Sequence, residues 1–205
     1  LGTYSLEGGS EPFNPTVGEI SFQALAPRSI VEEKTAAETK KPEEMLADNK
    51  ELEDYLNVCS LANLAHVYKK KHEDDEGDRG NEWHARGEPT EIAIQVFASR
   101  FSWDRDRLTK GEDAKWTQQV EFPFDSDIKR MTVVYTNNAE KKSVAFTKGA
   151  VERILERCSE SVFEQSSPPS TLSDDHREQI MKNMEALTRS GLRVLALAKR
   201  DAAPD

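Results

Sequence analysis

Cysteine, membrane-length apolar runs and excess positive charge are all scarce or missing in this 205-residue chain, and each shortage removes a class of function. Cys59 and Cys158 lie far apart with neither CxxC nor metal-ligand spacing, so no disulfide framework is indicated and a reduced, cytosolic setting fits best. No apolar run approaches the roughly 20 residues that cross a bilayer, and the first residues lack the basic and apolar regions of a signal peptide. Against 38 Asp and Glu stand only 28 Lys and Arg, a net charge of −10 that argues against nucleic acid as a partner. Any phosphate contact must be local.

Familiar catalytic signatures are absent too. Neither the GxxxxGK[ST] nor the GxGxxG phosphate cradle occurs, nor do the HExxH metal pair or the GxSxG nucleophile turn. His66, His72, His84 and His176 therefore read as surface or structural residues, and no metal site is assigned. The run Asp74-Asp75-Glu76-Gly77-Asp78 lacks the ligand spacing and closing Glu of a calcium loop, so it reads as part of a solvated loop over 69–82.

What is present reads as a single domain over 1–205 with a flexible insertion at about 27–47, rich in Glu, Lys, Ala and Thr. Its ends, Leu1-Gly2-Thr3-Tyr4 and Ala202-Ala203-Pro204-Asp205, are expected to be those of an excised domain. Short strands are expected over 3–7 and 19–25. Asp48 and Glu51 resemble a capping pair for a helix running to about His66, with Leu52, Leu56, Cys59 and Asn63 along one side. After a short strand at 83–86, Pro89 opens a helix whose core face is Ile92, Ala93, Val96, Phe97, Arg100 and Phe101.

Trp116, Gln118, Val120, Phe122 and Phe124 alternate with polar residues and Pro123, which puts them on one face of a strand. Strands over 131–136 and 143–147 are joined through the turn-prone Asn137-Asn138. Gly149 then opens a helix with Val151, Ile154, Leu155 and Cys158 at core spacings. Ser173-Asp174-Asp175 begins another helix, with Ile180, Met184 and Leu187 facing the core and Gly191 as its stop, before a last strand over 192–199. The fold class is α+β, an antiparallel β-sheet flanked by helices.

Phe124, Lys129 and Lys148 fall toward the ends of alternating strands, where a ring and two cations could stack a flat base and attract its phosphates. Periodicity alone leaves Phe124 equally suited to a core ring at a strand end, and Lys148 to an edge-protecting charge.

Four ordered blocks resemble the nucleotide-binding domain of P-type cation-transporting ATPases. They are Gly87-Glu88-Pro89-Thr90-Glu91, the stretch from Phe124 through Lys129 to Met131, Phe146-Thr147-Lys148-Gly149-Ala150, and the Gly191-Leu192-Arg193 strand running to Ala198. Within the family the chain looks most like the fungal-type sodium or potassium efflux ATPases, on Phe13-Asn14-Pro15, Phe122-Pro123-Phe124-Asp125-Ser126 and Val151, where many relatives have Pro.

The resemblance implies a role for each matching position. Phe124 would stack on adenine, and Glu91 would accept a hydrogen bond from its exocyclic amine. Lys148, beside the small Gly149 and Ala150, would line the pocket floor, with Met131 and Leu195 as an apolar wall. Lys129 and Arg193 would neutralise phosphate oxygens. Ser126 and Val151 depart from residues common in the family.

The implied function is ATP binding for a pump that exports a cation, Na+ or K+, with the γ-phosphate passed to an Asp in a separate phosphorylation domain. Mg2+ would be held by the full-length enzyme and not by this domain. No Asp-Lys-Thr-Gly-Thr segment is present, so the chain should bind ATP without turning it over. Its partners would be the phosphorylation and actuator domains of the same full-length chain, with no direct membrane contact from this domain, on the cytoplasmic side of an integral protein of the plasma membrane. The alternative is a non-enzymatic interaction or regulatory domain that keeps the fold without nucleotide binding.

Overall fold

Met131, Val133 and Tyr135 alternate with Arg130, Thr132 and Val134 along strand β7 (Arg130–Asn137), and only the first set is buried. That alternation organises the domain, because β7 lies inside a four-stranded antiparallel sheet. The computed structural model describes residues 2–6, 11–24, 38–39, 41–70, 82–161 and 169–202. In the main sheet, β11 (Ala196–Ala202), β8 (Ser143–Gly149), β7 and β6 (Trp116–Asp125) lie in that order. The registers put Met131 opposite Lys148 and Lys148 opposite Leu197, so these three form one cross-strand row.

Helices cover the face that carries this row. The chain runs from the outer pair β1 (Gly2–Leu6) and β2 (Ile20–Ala24), extended by β3 (Glu38–Thr39), into α1 (Pro42–Asp48) and α2 (Lys50–Leu61). Val58, Leu61 and Ala62 of the α2 region pack with Trp116, Met131, Val133, Tyr135 and Phe146 of the sheet. On its other side α2 sets Leu52, Leu56 and Cys59 against Ile20, Met45, Ala98 and Phe101, so one helix serves two clusters. The edge of Phe146 meets Trp116 at 5.2 Å between ring centres, a T-shaped contact.

The strands β4 (His66–Lys69) and β5 (Trp83–Arg86) pair antiparallel and lead into α3 (Pro89–Arg100) and α4 (Arg105–Thr109). After β8 come α5 (Val151–Leu155), the short pair β9 (Glu160–Ser161) and β10 (Ser170–Thr171), and α6 (Asp174–Arg189). The expected class, an antiparallel sheet flanked by helices, is the one found.

Several boundaries differ from the sequence reading. Asn49, not Asp48, caps α2 by accepting from the Leu52 N–H at 3.3 Å, while Asp48 closes α1. The helix stops at Leu61 rather than about His66, because Asn63 folds its side-chain oxygen onto the Ala65 N–H at 2.8 Å and turns the chain into β4. Ala93 faces solvent, and Gln95 and Ala98 take the buried positions instead. The last strand begins at Ala196, four residues later than expected, so Arg193 and Leu195 belong to the connection before it. Of the insertion expected at about 27–47, residues 27–37 and 40 lie outside the described residues; Pro42–Asp48 is helical, with Met45 buried. The acidic run 74–78 also lies outside them.

The largest difference is in β6. A bulge between Gln118 and Val120 and a second irregularity between Phe122 and Asp125 interrupt its pairing with β7. Each shifts the alternation by one residue. Val120 and Phe122 pair with Val134 and Thr132 on the outer face, whereas Gln118 pairs with the buried Tyr135 on the helix-covered one. Asp125 pairs with Arg130 on the outer face, and Pro123 and Phe124 fall within the irregularity, with no register partner. The five residues expected on one face are therefore divided between two.

Candidate nucleotide site

Glu91 and Lys148 meet at the end of the main sheet. Pro89 sets the first turn of α3, where its missing N–H costs nothing, and Glu91 follows at the third helical position. Its Oε1 accepts from Lys148 Nζ at 2.5 Å, and its Oε2 accepts from the Leu64 N–H at 3.3 Å. The pair is enclosed: 7% of the Lys148 side chain and 15% of the Glu91 side chain remain exposed. Burial pushes the Lys148 ammonium below its usual range, and the hydrogen bond and charge of Glu91 oppose that shift.

Residues that the sequence reading did not assign to the site hold this pair. Asn63 donates to the Glu91 carbonyl oxygen at 3.0 Å while accepting from Ala65, so one buried amide ties the α2–β4 turn to α3. Arg105 of α4 donates to the Asn63 carbonyl oxygen at 2.6 Å and reaches His66 Nε2 at 2.5 Å. Partial burial, and next the Arg105 charge, lower the His66 pKa, which leaves the ring neutral and able to accept. Burial pushes the Cys59 thiol up to about 12, against the opposing effects of the Tyr55 hydrogen bond and the Lys148 charge. A signal for Asn63 existed, since it is the polar member of an otherwise apolar helix face. No comparable signal marked Arg105.

Gly149 ends β8 against the start of β7. A Cβ there would collide with the Lys129 carbonyl oxygen and lie 2.8 Å from Arg130 Cα, so the two backbones approach this closely only with glycine. The Ala150 N–H donates to that same Lys129 oxygen at 3.0 Å. Lys129 is itself left-handed, with φ 50°, in the turn after β6. The turn is closed by Asp125, whose side chain accepts from the Asp127 N–H at 2.7 Å. The Lys129 ammonium stands 3.9 Å from Glu152 in the first turn of α5.

The structure thus brings Glu91, Met131 and Lys148 together on the covered face, with Gly149, Ala150 and Lys129 joined at its corner. Phe124, in the irregular end of the edge strand, leaves 60% of its surface exposed, so its ring is not a core ring. Arg193 is exposed and Leu195 half-buried in the connection between α6 and β11. Among the described residues no hydrogen bond or ion pair ties Arg193 to the others.

An exposed ring on the edge strand, an exposed ammonium in the turn after it and an enclosed acid–base pair are what the structure offers at this end of the sheet. Residues 51–205 match the family described as P-type ATPase, cytoplasmic domain N. The chain belongs to that family. It is 40% identical, over 93% of its length, to a sodium/potassium exporting P-type ATPase (cta3) of Schizosaccharomyces pombe. Over its whole length it is 32% identical to sodium/potassium exporting P-type ATPase 1 of Saccharomyces cerevisiae. A calcium-transporting ATPase of Bacillus cereus is 36% identical over 55% of the chain. The chain spans 16% of the first of these proteins and 21% of the second. As an N domain from P-type cation-transporting ATPases, it has among its described residues no helix long and apolar enough to cross a membrane.

Proposed function

We propose that this domain binds ATP for a P-type ATPase that exports Na+ or K+, and presents the γ-phosphate to an Asp of a separate phosphorylation domain. The observation that carries the reading is the enclosed Glu91–Lys148 pair, whose lysine lies opposite Met131 on the helix-covered face of the sheet. Adenine would stack on Phe124 above Met131 and approach Glu91, an acceptor suited to its exocyclic amine. Lys148 would form the floor beside Gly149 and Ala150. Lys129, Arg193 and Leu195 complete the site, the two cations on the solvent side where phosphates would leave the pocket.

In this reading the domain holds and orients the nucleotide, and the phosphorylation domain supplies the nucleophile and the Mg2+ site. The domain would sit on the cytoplasmic side of a plasma-membrane pump, beside the phosphorylation and actuator domains. The test is a backbone NMR titration of this chain with ATP, GTP and AMP. The reading expects shifts centred on Glu91, Phe124, Met131 and Lys148 and a preference for adenine over guanine. Shifts confined to surface acidic loops would overturn it in favour of an interaction domain.

A further inference from the structure

Three consecutive residues in the turn after α2, Asn63-Leu64-Ala65, hold Glu91 at both ends. The Asn63 side-chain amide donates to the Glu91 carbonyl oxygen at 3.0 Å, and the Leu64 N–H donates to Glu91 Oε2 at 3.3 Å. The Asn63 side-chain oxygen accepts from the Ala65 N–H at 2.8 Å, which fixes the turn and with it the direction of the Leu64 N–H inside it. Asn63 is fully buried. A Cβ on Gly87 would come within 2.9 Å of Ala65 Cα, so the segment that leads into α3 lies directly against this turn. The turn itself needs only the amide oxygen of Asn63. Its nitrogen reaches a carbonyl inside α3, where the helix already provides a donor, so this bond serves the position of Glu91 and not an unmet backbone group.

We infer that Asn63 is a positioning residue for base selectivity: it fixes the Glu91 carboxylate so that the site discriminates a 6-amino purine from a 6-oxo purine. The inference rests on the nucleotide reading above. An ionised carboxylate has about four lone-pair sites. Lys148 takes one on Oε1 and the Leu64 N–H one on Oε2, so those two bonds set the directions that stay open to a ligand. Adenine offers an N–H donor to such a direction. Guanine presents a carbonyl oxygen in its place, which a fixed carboxylate repels and a mobile one can turn away from. Stacking and phosphate contacts do not tell the two bases apart, so loosening Glu91 lowers selectivity more than affinity. Arg105 adds an outer support, donating from α4 to the Asn63 carbonyl oxygen at 2.6 Å.

The test is a calorimetric titration of ATP and of GTP into the parent chain, Asn63→Ser and Arg105→Gln, each first shown to be folded by its amide NMR spectrum. Serine can still accept from the Ala65 N–H, but its shorter side chain no longer reaches the Glu91 carbonyl. The ATP-over-GTP preference of the parent is expected to fall about fivefold in Asn63→Ser, with ATP affinity itself lowered no more than about threefold. Arg105→Gln should move the ratio in the same direction by less. In a Glu91→Ala background Asn63→Ser should leave the ratio unchanged, because the carboxylate it positions is gone. A purely structural role would weaken both nucleotides together and leave the ratio where it was. That outcome, or an equal change of ratio in the Glu91→Ala background, overturns the inference while leaving the nucleotide reading intact. If Asn63→Ser does not fold, an unchanged ratio in Arg105→Gln overturns the inference and a lowered one supports it. Absence of saturable ATP binding to the parent chain overturns both.

Discussion

Lys148 Nζ donates to Glu91 Oε1 at 2.5 Å and so joins the end of β8 to the first turn of α3 across 57 positions of sequence. Both groups give up most of their water, and neither can lose the other cheaply. Lys148→Met, which leaves the Glu91 carboxylate without its cation, should cost about 3 kcal/mol in urea unfolding. Glu91→Gln should cost about 2 kcal/mol. The double variant should fall short of the sum by more than about 1 kcal/mol, the coupling expected of a direct pair.

Exposure separates the two rings Phe124 and Phe146. Phe146 is almost fully enclosed between Trp116 and Tyr135, so Phe146→Ala should cost about 3–5 kcal/mol. Phe124 leaves 60% of its surface in water, and Phe124→Ala should change stability by no more than about 0.5 kcal/mol. Equilibrium unfolding of the two variants checks this contrast, and calorimetry should show ATP affinity lowered about tenfold by Phe124→Ala.

Gly149→Ala forces the start of β7 away from the end of β8, because the added methyl collides with the Lys129 carbonyl and crowds Arg130. Backbone on both sides of the clash leaves nothing flexible to yield, so a loss of about 1–3 kcal/mol is expected. Amide exchange should accelerate first at Ala150, whose N–H donates to that carbonyl.

Alkaline pH acts through Cys59 and Tyr135. Burial raises the Cys59 thiol from 9.0 to about 12 and also raises the Tyr135 phenol, so both hold their protons more tightly folded than unfolded. Their contribution is fully present below the unfolded values and is lost as pH climbs through the folded ones. Lys148 opposes this trend, since its lowered pKa adds stability as pH rises toward its unfolded value. Stability measured above pH 9 should fall less in Cys59→Ala than in the parent chain. At pH 8 a thiol reagent should label half-buried Cys158 about 100-fold faster than Cys59.

Patterns local in sequence were legible; those made by distant partners were not. The alternation of β7, the Pro89 start of α3 and the Ser173 cap of α6 each reside within a few residues, and each is present in the structure. Strand β6 defeats alternation because two irregularities divide its residues between the faces; Pro123 marks the second, but nothing marks the first, between Gln118 and Val120. Asn63 turns the chain after α2 through a bond to Ala65, but its tie to the Glu91 carbonyl, 28 positions away, has no local signature. The family blocks pointed to Glu91 and Lys148 separately; their ion pair, and the Arg105 clamp beside it, required the fold.

The most direct test of the central claim is isothermal calorimetry of ATP with the parent chain, Lys148→Ala and Phe124→Ala, each shown to be folded. The account predicts saturable binding to the parent, weakened about tenfold or more in both variants, with no phosphate released over the titration. Equal ATP affinity in all three proteins would contradict it.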